Sequence, residues 1–241
     1  MVARAGVYHR CTMTLHALTL DLDDTLWPVG PTIARADTLM WQWLGRHAPA
    51  THGARDGATL AALRAAVARE RPDWAHDMSA MRLETVRRAL LAAGDDPALA
   101  EPAFEVFYSE RQRVALYDDV LPALARLAAR WPLVALSNGN ADVRRVPGLA
   151  PFFHAAVSAR ELGVGKPAPE AFAEACRRAG ASPARTLHIG DDPALDVDGA
   201  LAAGLQAAWV QRPDALASRR PLGTPQHEVS QLDVLADRLG A

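Results

Sequence analysis

In the stretch LTLDLDDTLW, Leu18 to Trp27, Asp21, Asp23 and Asp24 set three carboxylates directly behind an apolar run. Fold stability alone does not ask for that much charge at the end of a buried strand. Three further polar groupings follow: Ser137, Asn138 and Gly139 in LSNGN, Lys166 in GVGKPAPEAF, and Asp191, Asp192 and Asp196 in HIGDDPALDVDGA. Each alone is an ordinary structural signal. An aspartate behind a strand caps a helix or forms a turn, SNG is a turn, and the residue before a proline marks a helix boundary. All four, each at the end of its own element, are harder to assign to turns. Carboxylates brought together repel and raise one another's pKa unless a positive group lies between them. A divalent cation resolves this, and an all-oxygen set with few protein ligands suits Mg2+. A metal held so is usually completed by a phosphate oxygen. Lys166 would place a point charge on the same phosphate, and the Ser137 hydroxyl with the backbone N–H groups of Asn138 and Gly139 would donate hydrogen bonds to it.

Composition singles out two of these groupings independently. Lys166 is the only lysine among 26 basic residues, and Asn138 and Asn140 are the only asparagines. Residues otherwise avoided mark positions where a substitute does not serve.

The elements that must position these groups alternate. Short apolar runs, HALTL (16–20), PLVALS (132–137), HAAVSA (154–159), TLHIG (186–190) and QAAWV (206–210), read as strands buried on both faces. Helical patterns near 120–130, 168–179 and 193–203 supply crossovers, the last stopped by Gly204. The alternation predicts a doubly wound, Rossmann-like α/β fold with a parallel sheet, whose ligands bind outside the carboxyl ends of the strands. Residues 31–117 break the alternation with amphipathic helices only, near 31–48, 57–70, 77–93 and 99–116, so an inserted four-helix cap domain is expected there. The α/β core domain is expected over 15–30 and 118–241, with residues 1–14 a flexible tail and the segment after Arg212 loop-like up to a closing helix. If strand alternation persists to its end, Asp21 and Asp23 face one way and Asp24 the other, Asp24 making a turn hydrogen bond.

Bulk properties exclude several classes. A net charge of −2 with no dense basic cluster argues against nucleic acid. No apolar stretch is long enough to cross a membrane, and the first dozen residues lack the apolar core of a signal peptide. Two cysteines, Cys11 and Cys176, make a disulfide framework improbable and point to a reducing, cytoplasmic compartment. Met13 is a candidate alternative start. The number of chains that assemble is not legible.

The four motifs DLDDTLW, LSNGN, GKPAPEAF and HIGDDPALDVDGA, with helices inserted between the first two, resemble those of the haloacid dehalogenase-like (HAD) hydrolases. The resemblance runs from about Leu15 to Val210. It implies that Asp21 is a nucleophile that takes the phosphoryl group, and that Asp23 is the general acid and then the base, its backbone carbonyl also binding the metal. It implies that Asp191 is the remaining metal carboxylate, with Asp192 and Asp196 in support, and that Lys166 offsets phosphoryl charge. Dehalogenases of this family lack an acid at the position of Asp23, since a halide leaves without a proton, so the resemblance favours a phosphatase. Within the family, HALTLDLDDTLW, RPDWAHDMSAMRLETVRRALLAAG and WPLVALSNGNADV are similar to the bacterial phosphatases that act on 5-amino-6-(5-phospho-D-ribitylamino)uracil and FMN in riboflavin biosynthesis. Relatives with the same core act on phosphoglycolate, sugar phosphates or nucleoside monophosphates. Trp27, Trp41, Trp43 and Trp74 are candidate stacking partners for a flat substrate. Trp41 and Trp43 read better as cap core, Trp74 and His76 as a loop over the site. Two readings from another class remain: a phosphoacceptor signalling module, which is roughly half this length and has no helical insertion, and a catalytically idle relative kept as an interaction protein.

Overall fold

The structure, a computed structural model, describes residues 14–213 and 220–241. Cys11, Met13 and all of the expected tail but Thr14 lie outside the described residues. The chain opens with β1 (Ala17–Leu20) and then leaves the sheet for a run of helices: α1 (Val29–His47), α2 (Pro49–Gly53), α3 (Gly57–Glu70), α4 (Met78–Ala93) and α5 (Ala100–Arg111). It returns through α6 (Val120–Ala128), β2 (Leu133–Ser137), β3 (Phe153–Ser158), α7 (Ala159–Leu162), α8 (Pro169–Ala179) and β4 (Thr186–Gly190). A π-helical turn (Pro193–Asp198), α9 (Gly199–Ala202), β5 (Gln206–Val210), β6 (His227–Val229) and α10 (Leu232–Leu239) complete it.

The sheet has six parallel strands in the order β3-β2-β1-β4-β5-β6. Five strands stand where the apolar runs predict them, to within one residue at either end. The sixth, β6, replaces part of the expected loop: three residues are too few to display a two-residue alternation. Its pairing is led in by Gln226, whose backbone donates to the Ala207 carbonyl and whose side-chain oxygen accepts from the Ala207 N–H.

Period-two alternation distributes the strands' side chains to two cores. Leu133 and Ala135 of β2, with Leu187 and Ile189 of β4, face α6 and α10, where Leu124, Leu127, Leu232 and Leu235 cover them. Val134 and Leu136, with Ala207 and Trp209 of β5, face α8 and α9, where Phe172, Ala175 and Ala200 lie. Burial on both faces explains why these strands read as continuous apolar runs.

The helices between β1 and β2 pack on a third, separate core: Ala36, Met40, Trp41 and Leu44 of α1, Val86 and Leu90 of α4, Ala103 and Phe107 of α5. Trp41 is buried in it and Trp43 packs against it. Asp56 and Asp77 cap α3 and α4, accepting from backbone N–H groups in each first turn. The HAPATHG break holds one more short helix, α2, begun by Pro49, whose missing N–H costs nothing at a first helical position.

The two chain crossings between the sheet and this insert are tied together by Arg212, just past β5. Its Nε and Nη2 donate to the Thr25 carbonyl at 3.0 and 2.8 Å, and its Nη1 donates to both Asp119 oxygens at 2.8 and 2.9 Å. The guanidinium also lies over the Tyr117 ring, 4.2 Å from its centroid.

Candidate active site

The strand order reverses between β1 and β4, so a crevice opens past their carboxyl ends, where open α/β sheets bind ligands. Register sets the rim. Leu20 pairs with Ile189 of β4 and Ala135 of β2, so Asp21 leaves β1 one residue beyond both, its N–H still bonded to the Ile189 carbonyl at 2.9 Å. A cavity of about 390 Å³ there is lined by Asp21, Asp23, Ser137, Asn138, Gly139, Lys166, Asp191, Asp192 and Asp196. Nine residues from four separate segments of the sequence thus meet at one place. Asp24 lines it too, so the two-residue parity does not carry past Leu20, where the strand ends. Asp24 has a left-handed backbone (φ 56°), and its carboxylate accepts from the Val29 N–H at 2.8 Å, the expected turn hydrogen bond.

Lys166 is buried between two carboxylates, its ammonium donating to Asp21 and, at 2.6 Å, to Asp196. Burial alone would lower its pKa, but the charges of Asp196 and Asp21 outweigh that and hold it above the usual lysine range. The Asn138 side chain clamps the Lys166 backbone from both sides, accepting from its N–H at 2.7 Å and donating to its carbonyl at 2.8 Å. Ser137 is buried, and its Oγ accepts from the Gly139 N–H at 3.0 Å, so that N–H is already engaged. A Cβ at 139 would lie 2.5 Å from Asp23 Oδ2, so any larger residue there must displace that carboxylate.

Asp196 is held below the ordinary carboxylate range. Burial would raise it, but Lys166 and His188 prevail. The Asp192 N–H also donates to it at 2.9 Å, while the Asp192 carboxylate caps the following turn through the Ala194 and Leu195 N–H groups. His188, fully buried, donates from Nε2 to Asp196 at 3.0 Å, because a carboxylate can only accept. Its Nδ1 therefore accepts from the Thr19 hydroxyl at 2.8 Å. Burial lowers the His188 pKa, consistent with a neutral ring.

Oxygens of Asp21, Asp191 and Asp196 lie within 4.8 Å of one another. Burial, reinforced by neighbouring carboxylates, pushes Asp21 well above its ordinary range, and burial together with Asp196 pushes Asp191 up to about 7. Thr25 Oγ1 bridges these two at 3.3 and 3.0 Å. The oxygens of Asp196 are already taken by Lys166, His188 and the Asp192 N–H, which leaves Asp21 and Asp191 with spare acceptor capacity and excess negative charge. A divalent cation fits this donor set.

Asp23 is held differently. Arg111 Nη2 donates to both its oxygens, at 2.5 and 2.6 Å, and Trp27 Nε1 donates to one at 2.9 Å. Trp27 is therefore no stacking platform: it is completely buried and orients Asp23. Trp74 is not among the residues lining the cavity; its ring lies under the Arg71 guanidinium, 3.5 Å from ring centroid to Cζ. The helical insert instead reaches the cavity through Ile33, Met78, Arg82 and Arg111. Sequence reasoning missed Arg111, Arg82, Thr25 and His188. Thr25 and His188 sit inside the quoted motifs and could have been found there; the arginines had no signal among so many others.

The haloacid dehalogenase-like hydrolase family model matches residues 15–204, and the chain belongs to that family. It is 33% identical over 208 residues to the 5-amino-6-(5-phospho-D-ribitylamino)uracil phosphatase YigB of Escherichia coli (strain K12), covering 85% of this chain and 87% of that one. To a phosphoserine phosphatase of Thermus thermophilus it is 36% identical over 63% of this chain and 62% of that one. A crystal structure of a 2-haloacid dehalogenase from Pseudomonas syringae pv. Tomato DC3000 superposes with a TM-score of 0.86 at 38% identity, over 94% of this chain and 99% of that one. The chain is thus an enzyme of the hydrolase class, and its phosphatase-named relatives support a phosphatase within it.

Proposed function

We propose that the chain is an Mg2+-dependent phosphatase that transfers the phosphoryl group of a small monoester to Asp21, acting on 5-amino-6-(5-phospho-D-ribitylamino)uracil or FMN. The observation that carries the reading is the pair of carboxylates on one loop, Asp21 against Lys166 and Asp23 two residues on, both lining one cavity. An Asp21 oxygen attacks phosphorus while the ester P–O bond breaks, and Asp23 gives a proton to the departing alcohol oxygen. Asp23 then takes a proton from the water that attacks the aspartyl-phosphate, releasing phosphate and freeing Asp21. Lys166 offsets charge on Asp21 and on the phosphoryl oxygens, and Ser137 donates to the same group. Asp21, Asp191 and the Asp23 carbonyl would hold the cation, which supplies further charge neutralisation; Asp192 and Asp196 support them. Asn138 and Gly139 shape the phosphate pocket rather than bind by side chain.

In this reading residues 31–117 form a cap domain over an α/β core of 15–30 and 118–241. The substrate assignment is supported by the 33% identity to the Escherichia coli phosphatase over most of both chains. A reducing cytoplasmic compartment goes with the free, buried thiol of Cys176. Among the described residues no helix is long and apolar enough to cross a membrane. The similarity to a 2-haloacid dehalogenase favours a second reading, carbon–halogen cleavage, in which Asp23 would have no proton to deliver. The deciding experiment is a panel of FMN, the ribitylaminouracil phosphate, phosphoserine, phosphoglycolate, nucleoside monophosphates and 2-chloropropionate, with and without Mg2+. Metal-dependent phosphate release, fastest on the first two, is expected. Halide release without phosphate release would overturn the reading.

A further inference from the structure

Beyond the carboxylates, Ser137 and Lys166, the cavity has a wall of different character. α1 supplies Val29 and Ile33 to it and α4 supplies Met78 and Arg82, each pair one helical turn apart and so on one face of its helix. Leu195 adds a further apolar side chain. Met78 is 57% exposed, although a large apolar side chain gains from burial.

Arg82 is the polar group set into this wall. Its Nη1 donates to Asp37 of α1, and its guanidinium lies over the Phe107 ring, 3.8 Å from centroid to Cζ. Those contacts leave its Nε and Nη2 without a hydrogen bond to any described residue. Both atoms stay within reach of a ligand. The two Arg111 nitrogens are the only unpartnered side-chain atoms among the described residues that are closed off from contact, so Nε and Nη2 of Arg82 keep accessible surface. These two nitrogens form the edge of the guanidinium whose N–H bonds run parallel. That edge takes two acceptors side by side, whether the oxygens of a carboxylate or a carbonyl oxygen next to a bare ring nitrogen.

The surroundings choose between those two. Asp37 already balances the Arg82 charge, so a carboxylate would bring a second negative charge to one cation, whereas a neutral acceptor pair brings none. Val29, Ile33 and Leu195 offer apolar surface to a ring rather than partners to a polar chain. The exposed Met78 thioether is a favourable neighbour for an aromatic ring.

We infer that Arg82 is a specificity-determining residue whose Nε–Nη2 edge reads two adjacent neutral acceptors on a flat heteroaromatic ring carried by the leaving alcohol, with Ile33 and Met78 as the apolar wall beside that ring. The inference rests on the phosphatase reading, which puts the leaving group at this end of the cavity, and deepens it. A flavin ring carries such a pair, a carbonyl oxygen beside a bare ring nitrogen. A hydrogen bond to a charged group makes about a tenfold or greater difference in binding.

The test uses the full chain with Mg2+ and two readouts: riboflavin binding, followed by quenching of its fluorescence, and kcat/KM on FMN and on D-ribitol 5-phosphate. The two esters share the phosphorylated chain and differ in the ring. Wild type is expected to prefer FMN by about tenfold or more. Arg82→Lys keeps a cation for Asp37 but has no parallel pair of donors. It is expected to weaken riboflavin binding about tenfold and to lower the ratio of FMN to ribitol phosphate by a similar factor, through KM. Equal slowing of both esters with riboflavin binding retained would mean that Arg82 only joins α4 to α1, and overturns the inference. A preference for phosphoserine over FMN that Arg82→Lys removes would mean that the edge takes a carboxylate, and overturns it too. Should the variant not fold, wild type is tested with 1-deazariboflavin and 5-deazariboflavin, each of which lacks one ring-nitrogen acceptor. Binding of both at parity with riboflavin overturns the inference, and a marked loss with either supports it. Riboflavin binding that depends on Arg82 in a protein that releases phosphate from no ester overturns the phosphatase reading and supports the ring site.

Discussion

Replacing Gly139 by alanine is the smallest change that reaches Asp23 without touching it. The added Cβ would lie 2.5 Å from Asp23 Oδ2, 3.4 Å from Ser137 Oγ and 3.6 Å from Arg111 Nη2, so only the first contact is impossible. Ordinary contact starts near 3.4 Å, so the carboxylate oxygen must retreat by about 0.9 Å, and misplacement of a reacting group by ~1 Å costs about a hundredfold in rate. The retreat is not free rotation, because Arg111 holds both oxygens and Trp27 one. Weakening those bonds should lower stability by about 1–2 kcal/mol. The assay is kcat/KM on an alkyl phosphate and on p-nitrophenyl phosphate, with urea denaturation alongside. The alkyl ester, whose leaving group needs a proton, should lose about a hundredfold; p-nitrophenyl phosphate should lose far less, since nitrophenolate departs unaided. In an Asp23→Ala background the alanine at 139 should cost nothing further. Equal losses on the two esters, or an undiminished loss in that background, would refute the steric route through Asp23.

Other outcomes follow from the same geometry. Mg2+ should raise the stability of the wild type by about 2.7 kcal/mol at roughly a hundred times its dissociation constant, and Asp191→Asn should abolish most of that shift in thermal melts. Arg212→Met removes the cation from the buried Asp119 carboxylate, which keeps the Leu232 N–H, and releases the Thr25 carbonyl, so denaturation should show a loss of about 3–5 kcal/mol; a loss below 1 would mean that the two crossings are held elsewhere. Trp74→Ala should change KM for FMN and for p-nitrophenyl phosphate alike, because Trp74 stacks on Arg71 and does not line the cavity. A selective rise for FMN would put it back in the site.

That the core groupings meet at one cavity was legible because each, Asp21 with Asp23, Ser137 to Gly139, Lys166, and Asp191 to Asp196, follows its strand or precedes its helix, and local patterns are what sequence displays. The helices of the insert were legible for the same reason, from their periodicity. What escaped is long-range. Arg111 and Asp23 are 88 positions apart, and nothing local distinguishes Arg111 among 25 arginines. Trp27 looked available because it follows a motif, yet its packing under the sheet leaves only its Nε1 to act, and inwards. The parity argument for Asp21, Asp23 and Asp24 presumed a strand that in fact stops at Leu20. After that point the left-handed residue Asp24 and the Asp24 N–H bond to the Trp27 carbonyl set the directions. The π-helical turn at Pro193–Asp198 was likewise invisible, since its pattern reads as an ordinary helix start.

The most direct test of the proposed chemistry is to catch the phosphoryl group on its carboxylate. FMN labelled in the phosphate is mixed with the enzyme and Mg2+, quenched in acid within a single turnover, and the digested chain is searched for the label. Asp21 as nucleophile predicts label on the peptide that carries DLDDTLW, longer-lived in Asp23→Asn, where the base that activates water is gone, and absent in Asp21→Asn. Full turnover with no label on that peptide, or activity that survives Asp21→Asn, would contradict it.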